Sequence, residues 1–269
     1  MTHVRTLSAL PLLAALGLAA CRTSSAVPCA SADRWVDLTH AFDEDTVYWP
    51  TAEGFRFEVV FDGQTEKGYH YSANQFACAE HGGTHLDAPI HFDADGWTAE
   101  VIPVDRFEGP AAVVDVSARA LADPDYLVTT DDLVAWEAEH GRLPEGAILL
   151  LHTGYGRYWP DRVKYMGTDA RGEAAVADLH FPGLAPEAAA WLVREHVVDA
   201  VGLDTPSIDH GQSTLFEAHR HLAAANVLIF ENVKGADRLP ATGAWVVALP
   251  MKIRGGSGGP LRILALLPG

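Results

Sequence analysis

The sequence predicts an α/β fold, and three observations carry that expectation. Residues 147–151 (Ala-Ile-Leu-Leu-Leu) and 227–230 (Val-Leu-Ile-Phe) are continuous apolar runs, the pattern of strands buried on both faces. Helical segments with recognisable start and stop signals fall between such runs in the second part of the chain. The first third instead carries alternating runs at 55–61 and 69–76, which read as antiparallel strands.

Taken in order, residues 34–40 open the domain as a short β-compatible run, and an acidic turn follows at Asp43, Glu44 and Asp45. A short apolar strand is expected at 111–116. Thr129 or Thr130 caps a helix that carries Asp131 and Asp132 in its favoured first turn and stops at Gly141. The strand at 147–151 empties into His152-Thr153-Gly154-Tyr155, a turn placed to wall a pocket. Pro186 suits the first position of a second helix, with Ala189, Leu192 and Val193 on one face and an end near His196. A strand at 200–203 delivers Asp204, Thr205, Pro206, Ser207, Ile208 and Asp209. Ser213 is expected to cap a third helix that runs through His219 to Asn226, and the strand at 227–230 ends in Glu231-Asn232. Strands at 245–249 and 261–267 close the chain around a glycine-rich turn at 255–260.

A chain of 269 residues with 48% hydrophobic content can bury one sizeable core, so one domain is expected over 34–269. The net charge of −17 argues against nucleic acid as a partner, since binding phosphate backbones needs clustered Lys and Arg. Residues 1–20 read as a signal segment: His3 and Arg5 precede an apolar run at 7–18 that is too short to span a membrane. Leu18-Ala19-Ala20-Cys21 resembles a lipoprotein cleavage site, so export and a lipid anchor on Cys21 in a bacterial envelope membrane, on the periplasmic side, are expected. Residues 21–33, rich in Ser, Ala and Thr, then form a flexible tether. An oxidising compartment would permit a Cys29–Cys78 disulfide. Cys78 lies outside the phase of the neighbouring histidines and reads as a small buried thiol.

The densest chemistry lies at 81–92, His-Gly-Gly-Thr-His-Leu-Asp-Ala-Pro-Ile-His-Phe. His81, His85, Asp87 and His91 share one side of an extended chain. A straight strand fails, because about 3.3 Å per residue would carry His81 roughly 20 Å from Asp87, whereas metal bonds are ~2.0 to 2.2 Å. The chain must curl, and Gly82 and Gly83 permit it. His81, His85 and Asp87 are candidate ligands. His91, if the metal is already satisfied, is free to move protons near neutrality. On the residues alone His219 reads as a satisfied helix histidine and Glu231 as a solvated strand end.

This dodecapeptide resembles, at every fixed position, the His-x-Gly-Thr-His-x-Asp-x-Pro-x-His-Phe signature of the cyclase family of metal-dependent hydrolases, which includes bacterial kynurenine formamidase and isatin hydrolase. The resemblance implies a swivelling β/β/α fold and a second ligand pair, matched here by His219 and Glu231. It implies two ions, one on His81, His85 and Asp87 and the other on His219, with Asp87 and Glu231 bridging. Imidazole and carboxylate without thiolate favour Zn²⁺, with Mn²⁺ second, and a single-ion site stays open. Trp49, in a segment like the family's aromatic-proline stretch, and Tyr155 are expected to contact an aromatic substrate. Asp204, Ser207 and Asp209 resemble a family segment and read as residues that fix a loop or support the ligands. The activity implied is hydrolysis of an aryl formamide such as N-formylkynurenine, with isatin-type ring opening as the alternative and a homodimer or higher homo-oligomer as the assembly. A lipid-tethered metal- or ligand-binding protein without turnover is the competing reading, and dependence of hydrolysis on His91 separates the two.

Overall fold

The apolar runs become the parallel centre of one sheet. The computed structural model describes residues 31–269, which form twelve strands: β1 (Trp35–Asp37), β2 (Arg56–Gln64), β3 (His70–Ala77), β4 (His85–Asp87), β5 (Glu108–Asp115), β6 (Leu127–Val128), β7 (Ala147–His152), β8 (Gly183–Leu184), β9 (Val198–Leu203), β10 (Leu228–Glu231), β11 (Thr242–Pro250) and β12 (Gly258–Leu266). Five α-helices accompany them: α1 (Ser117–Ala120), α2 (Thr130–His140), α3 (Arg162–Met166), α4 (Pro186–Glu195) and α5 (Glu217–Ala224). The expected signal segment 1–20, the anchor Cys21 and Cys29 lie outside the described residues, as does most of the tether. Ala32–Arg34 forms a single 3-10 turn. No helix among the described residues is long and apolar enough to cross a membrane.

The main sheet runs β1-β12-β11-β5-β7-β9-β10-β4, with β5, β7, β9 and β10 parallel and the remaining pairings antiparallel. Strand β4 also pairs with β12, so the sheet closes on itself. Closure explains why the central strands lack alternation. Leu149, Leu151, Val201 and Ile229 point outward against Leu133, Trp136, Leu192 and Leu222 of the helices. Their neighbours Ile148, Leu150, Ala200 and Phe230 point inward and fill the barrel with Leu86, Val113, Val246 and Ile263. Both faces of each strand are therefore dry, and burial of each large aliphatic side chain contributes about 1.5–3 kcal/mol.

Helix α2 begins as expected: Thr129 Oγ1 accepts from the Asp132 amide at 3.3 Å while Asp132 Oδ2 accepts from the Thr129 amide at 2.7 Å. Helix α5 departs from expectation. It starts at Glu217, four residues beyond Ser213, because Phe216 takes a left-handed conformation (φ 48°) with its amide on Ser213 Oγ at 3.2 Å. The first free amides of α5, on Ala218 and His219, are received by Asp209 at 3.1 and 3.2 Å. The glycine-rich segment expected as a turn is also partly strand, since Gly258, Gly259 and Pro260 pair with β4.

The alternating runs of the first third form the hairpin β2–β3, with Phe57 opposite Phe76 and a register shift between Val59 and Phe61. Alternation predicts one buried face, yet Phe57, Val59, Val60, Phe61, Tyr69, Tyr71 and Phe76 are all 41 to 59% exposed. Truncating the cap of α2 gives a simple check on the outer layer. Thr129→Ala is expected to destabilise the fold by about 1 kcal/mol, read as a lower urea midpoint with unchanged slope.

Candidate metal centre

Register alone brings two ligands together. In the β10–β4 pairing Glu231 lies opposite His85, and directly opposed side chains share a face. Asp87, two residues along β4, points the same way. That face is the outer one, beneath α5, while Leu86 and Phe230 turn into the barrel. His81 reaches the cluster because the chain curls just before β4. Gly83 carries the positive φ (60°) that the curl needs, and Gly82 leaves room for the Tyr48 ring, which any Cβ there would strike.

Asp87 is the hub. Its Oδ1 lies 2.6 Å from His81 Nδ1 and 3.1 Å from His85 Nε2, and its Oδ2 lies 3.1 Å from His219 Nε2. Glu231 completes the set, 3.4 Å from His85 Nε2 and 3.3 Å from His219 Nε2. Two triads result, His81–His85–Asp87 and Asp87–His219–Glu231, each with ligand atoms within 4.8 Å of one another. The other ring nitrogens are tied down: His85 Nδ1 to the Gly83 carbonyl at 2.9 Å, His219 Nδ1 to Asp209 at 2.6 Å, and His81 Nε2 to Ser257 Oγ at 2.8 Å, itself donating to Glu80. Such outer contacts orient metal-binding imidazoles.

The residues fit a divalent cation. His85 Nε2 is buried and close to two carboxylate oxygens, yet it makes no hydrogen bond to either. A nitrogen aimed among acids without bonding them is placed as a ligand. Charge points the same way. Burial opposes ionisation of Asp87, but the His81 charge and the bonds from His219 and His81 hold its carboxyl well below the usual range. Burial and the Asp87 charge push Glu231 up. Burial opposes charging of His85 and His219, but the surrounding carboxylates outweigh it and raise both. The histidines thus stand in for positive charge that a cation would supply.

His91 lies beside this set. Its ring stacks on His81 at 3.8 Å and 15°, and it lines the pocket above the carboxylates. Burial, opposed by Asp87 and reinforced by neighbouring imidazoles, lowers its pKa to about 4, so it is an unprotonated base at neutral pH. The pocket encloses about 290 Å³, with Trp49, Phe92, Phe216 and Val47 among its walls.

Trp49 lines this pocket and Tyr155 does not. Left-handed Gly154 (φ 79°) turns the chain so that Tyr155 is buried with Val47, Tyr165, Met166 and Phe181. Phe216 takes the aromatic place at the pocket. The helix expected from Ser213 put it in the first turn, although a bulky residue three before a candidate ligand was a usable signal. Ser207 lines the pocket, Asp209 supports His219, and Asp204 bonds elsewhere, to His152, Thr153 and Gly154. Cys78 is half-buried, with no disulfide partner among the described residues.

Known proteins share this arrangement of chain. An isatin hydrolase of Roseibium aggregatum is 34% identical over 210 residues, which cover 75% of this chain and 77% of that protein. A kynurenine formamidase of Bacillus anthracis is 25% identical, covering 85% of this chain and 95% of its own. The solved structure of isatin hydrolase A from Ralstonia solanacearum superposes with a TM-score of 0.78 at 35% identity, over 87% of this chain and 92% of that one. A family profile for cyclases matches residues 36–210. With half the barrel and the whole histidine-rich motif inside that match, the chain belongs to the cyclase family.

Proposed function

We propose that this protein is a metal-dependent hydrolase of aryl amide C–N bonds, with a compact cyclic amide of the isatin type as preferred substrate. The observation that carries the reading is the pair of ligand triads sharing Asp87 at the floor of an aromatic pocket. His81, His85 and Asp87 would hold one ion and His219 a second, with Asp87 and Glu231 between them. Zinc suits these donors best, and manganese second. A bound divalent ion supplies Lewis acidity toward a carbonyl and toward water. His91, unprotonated and 3.8 Å from the His81 ring, takes the proton of the attacking water and returns it to the departing nitrogen. Trp49, Phe92 and Phe216 enclose the aromatic ring and exclude water.

An aryl formamide such as N-formylkynurenine is the second reading. The cyclic amide is favoured by the pocket, whose roughly 290 Å³ lies near the low end of the ~300–1,000 Å³ typical of ligand sites. It is also favoured by the higher identity to isatin hydrolase, 34% against 25%. The test is turnover by the zinc-loaded protein of isatin, N-formylkynurenine and an alkyl formamide. We expect kcat/KM to fall in that order, and a metal-loaded protein that hydrolyses none of them would leave only a binding protein. Glu231→Ala should lose metal by elemental analysis. His91→Ala should keep it while kcat drops by about 10² to 10⁴; retention of full activity would refute the proton-transfer role.

The hairpin supports a homodimer. Five half-exposed aromatic rings offer on the order of 500 Å² per copy, much of the ~800 Å² per partner of a stable interface. Phe61→Glu combined with Tyr71→Glu should convert a dimer to a monomer in sedimentation velocity, and a wild type that sediments as a monomer would exclude the interface. The lipid anchor at Cys21 rests on the leader sequence alone. Cys21→Ser should move the protein from the membrane fraction to the soluble one, and native protein that is already soluble would defeat it.

A further inference from the structure

A second cavity opens at the carboxyl ends of β5, β7 and β9, the position at which open α/β sheets receive ligands. It encloses about 570 Å³ and shares no lining residue with the metal pocket. The turn after β7, read from the sequence as a pocket wall, walls this cavity through His152 and Gly154.

Its charge is unlike the rest of the molecule. The chain has 36 acidic residues against 19 Lys and Arg, yet Arg157, Lys234 and Arg238 converge on this cavity. The Asp204 carboxylate in its wall is already consumed. It accepts from the Thr153 amide at 2.8 Å and hydroxyl at 2.6 Å, and from the Gly154 amide and His152 Nδ1, both at 3.0 Å. Burial opposes the charge on His152, but Asp204 outweighs it and raises the imidazole above its ordinary value. With His152 paired to Asp204, Asp237 is the one acid left in the wall to oppose Arg157, Lys234 and Arg238. The cavity therefore carries net positive potential, and potential in a concave site attracts an anion.

The remaining wall is flat and aromatic. His40 stacks on Trp159 at 4.1 Å and 16°. It is only 7% exposed, and its Nε2 has no hydrogen-bond partner. That nitrogen is itself sealed off, so His40 contributes ring surface to this wall rather than an accessible hydrogen-bonding atom. Cations set beside a stacked aromatic wall match a carboxylate carried on a ring.

We propose that this cavity is a second ligand site, specific for a small aromatic carboxylate, that works independently of the metal centre. The probe is benzoate, titrated calorimetrically into metal-loaded protein and into protein stripped of metal by chelation. We expect one benzoate bound in the stripped protein, with affinity that falls as salt rises. Arg157→Ala combined with Lys234→Ala should weaken it at least tenfold while isatin hydrolysis stays at the wild-type rate. Both side chains are exposed, and circular dichroism confirms the fold; Lys234→Gln alone, expected to weaken binding severalfold, gives the same reading with less perturbation. The proposal is overturned if benzoate binds only when metal is present, if the variants bind as tightly as wild type, if no heat of binding is seen, or if inorganic phosphate binds as tightly as benzoate.

Discussion

The Asp87 carboxylate is the constraint on which the site depends. It is buried, it touches His81, His85 and His219, and it lies in the strand that closes the barrel. A buried carboxylate is tolerated only when it is paired and hydrogen-bonded or bound to metal. Three imidazoles meet that demand here, and they come from three different elements: the curl before β4, β4 itself and α5. Folding the barrel and assembling the site are consequently one event. Breaking the β4 seam would strand a charge that the interior cannot solvate.

Some of this was legible in the sequence, for reasons that differ residue by residue. Strands β7 and β10 were readable because a run of large aliphatic side chains needs two dry faces. Helix α2 was readable because its stop and start chemistry is local, lying in Thr129, Asp132 and Gly141. The cluster at 81, 85 and 87 was visible from spacing, since curl and phase are also local. His219 and Glu231 were not, because their roles depend on a register, Glu231 opposite His85, that no single segment encodes. Only likeness to a family suggested them. The start of α5 failed for the same reason: Ser213 is an adequate local cap, but Asp209 receives the amides of Ala218 and His219 from outside the helix. Tyr155 failed because one left-handed glycine reversed the direction of a turn.

The hairpin shows a different limit. Its alternation was read correctly as strand, but alternation reports that a face is buried without saying against what. Within one chain neither face of β2–β3 is covered. A pattern selected for contact with another molecule looks the same as one selected for the interior.

Strand β4 is only three residues long, and it has a neighbour on each side: His85 faces both Glu231 and Pro260, and Asp87 faces both Ile229 and Gly258. Reactive groups held there inherit the rigidity of a seam bonded along both edges. The walls of the pocket come from other places, Trp49 from the approach to the hairpin and Phe216 from the bend before α5. Two of the three aromatic walls are thereby written apart from β4, while Phe92 sits beside His91 in the same motif as the candidate ligands. A lineage can reshape those two walls by editing two connecting segments while the groups held on β4 stay where they are.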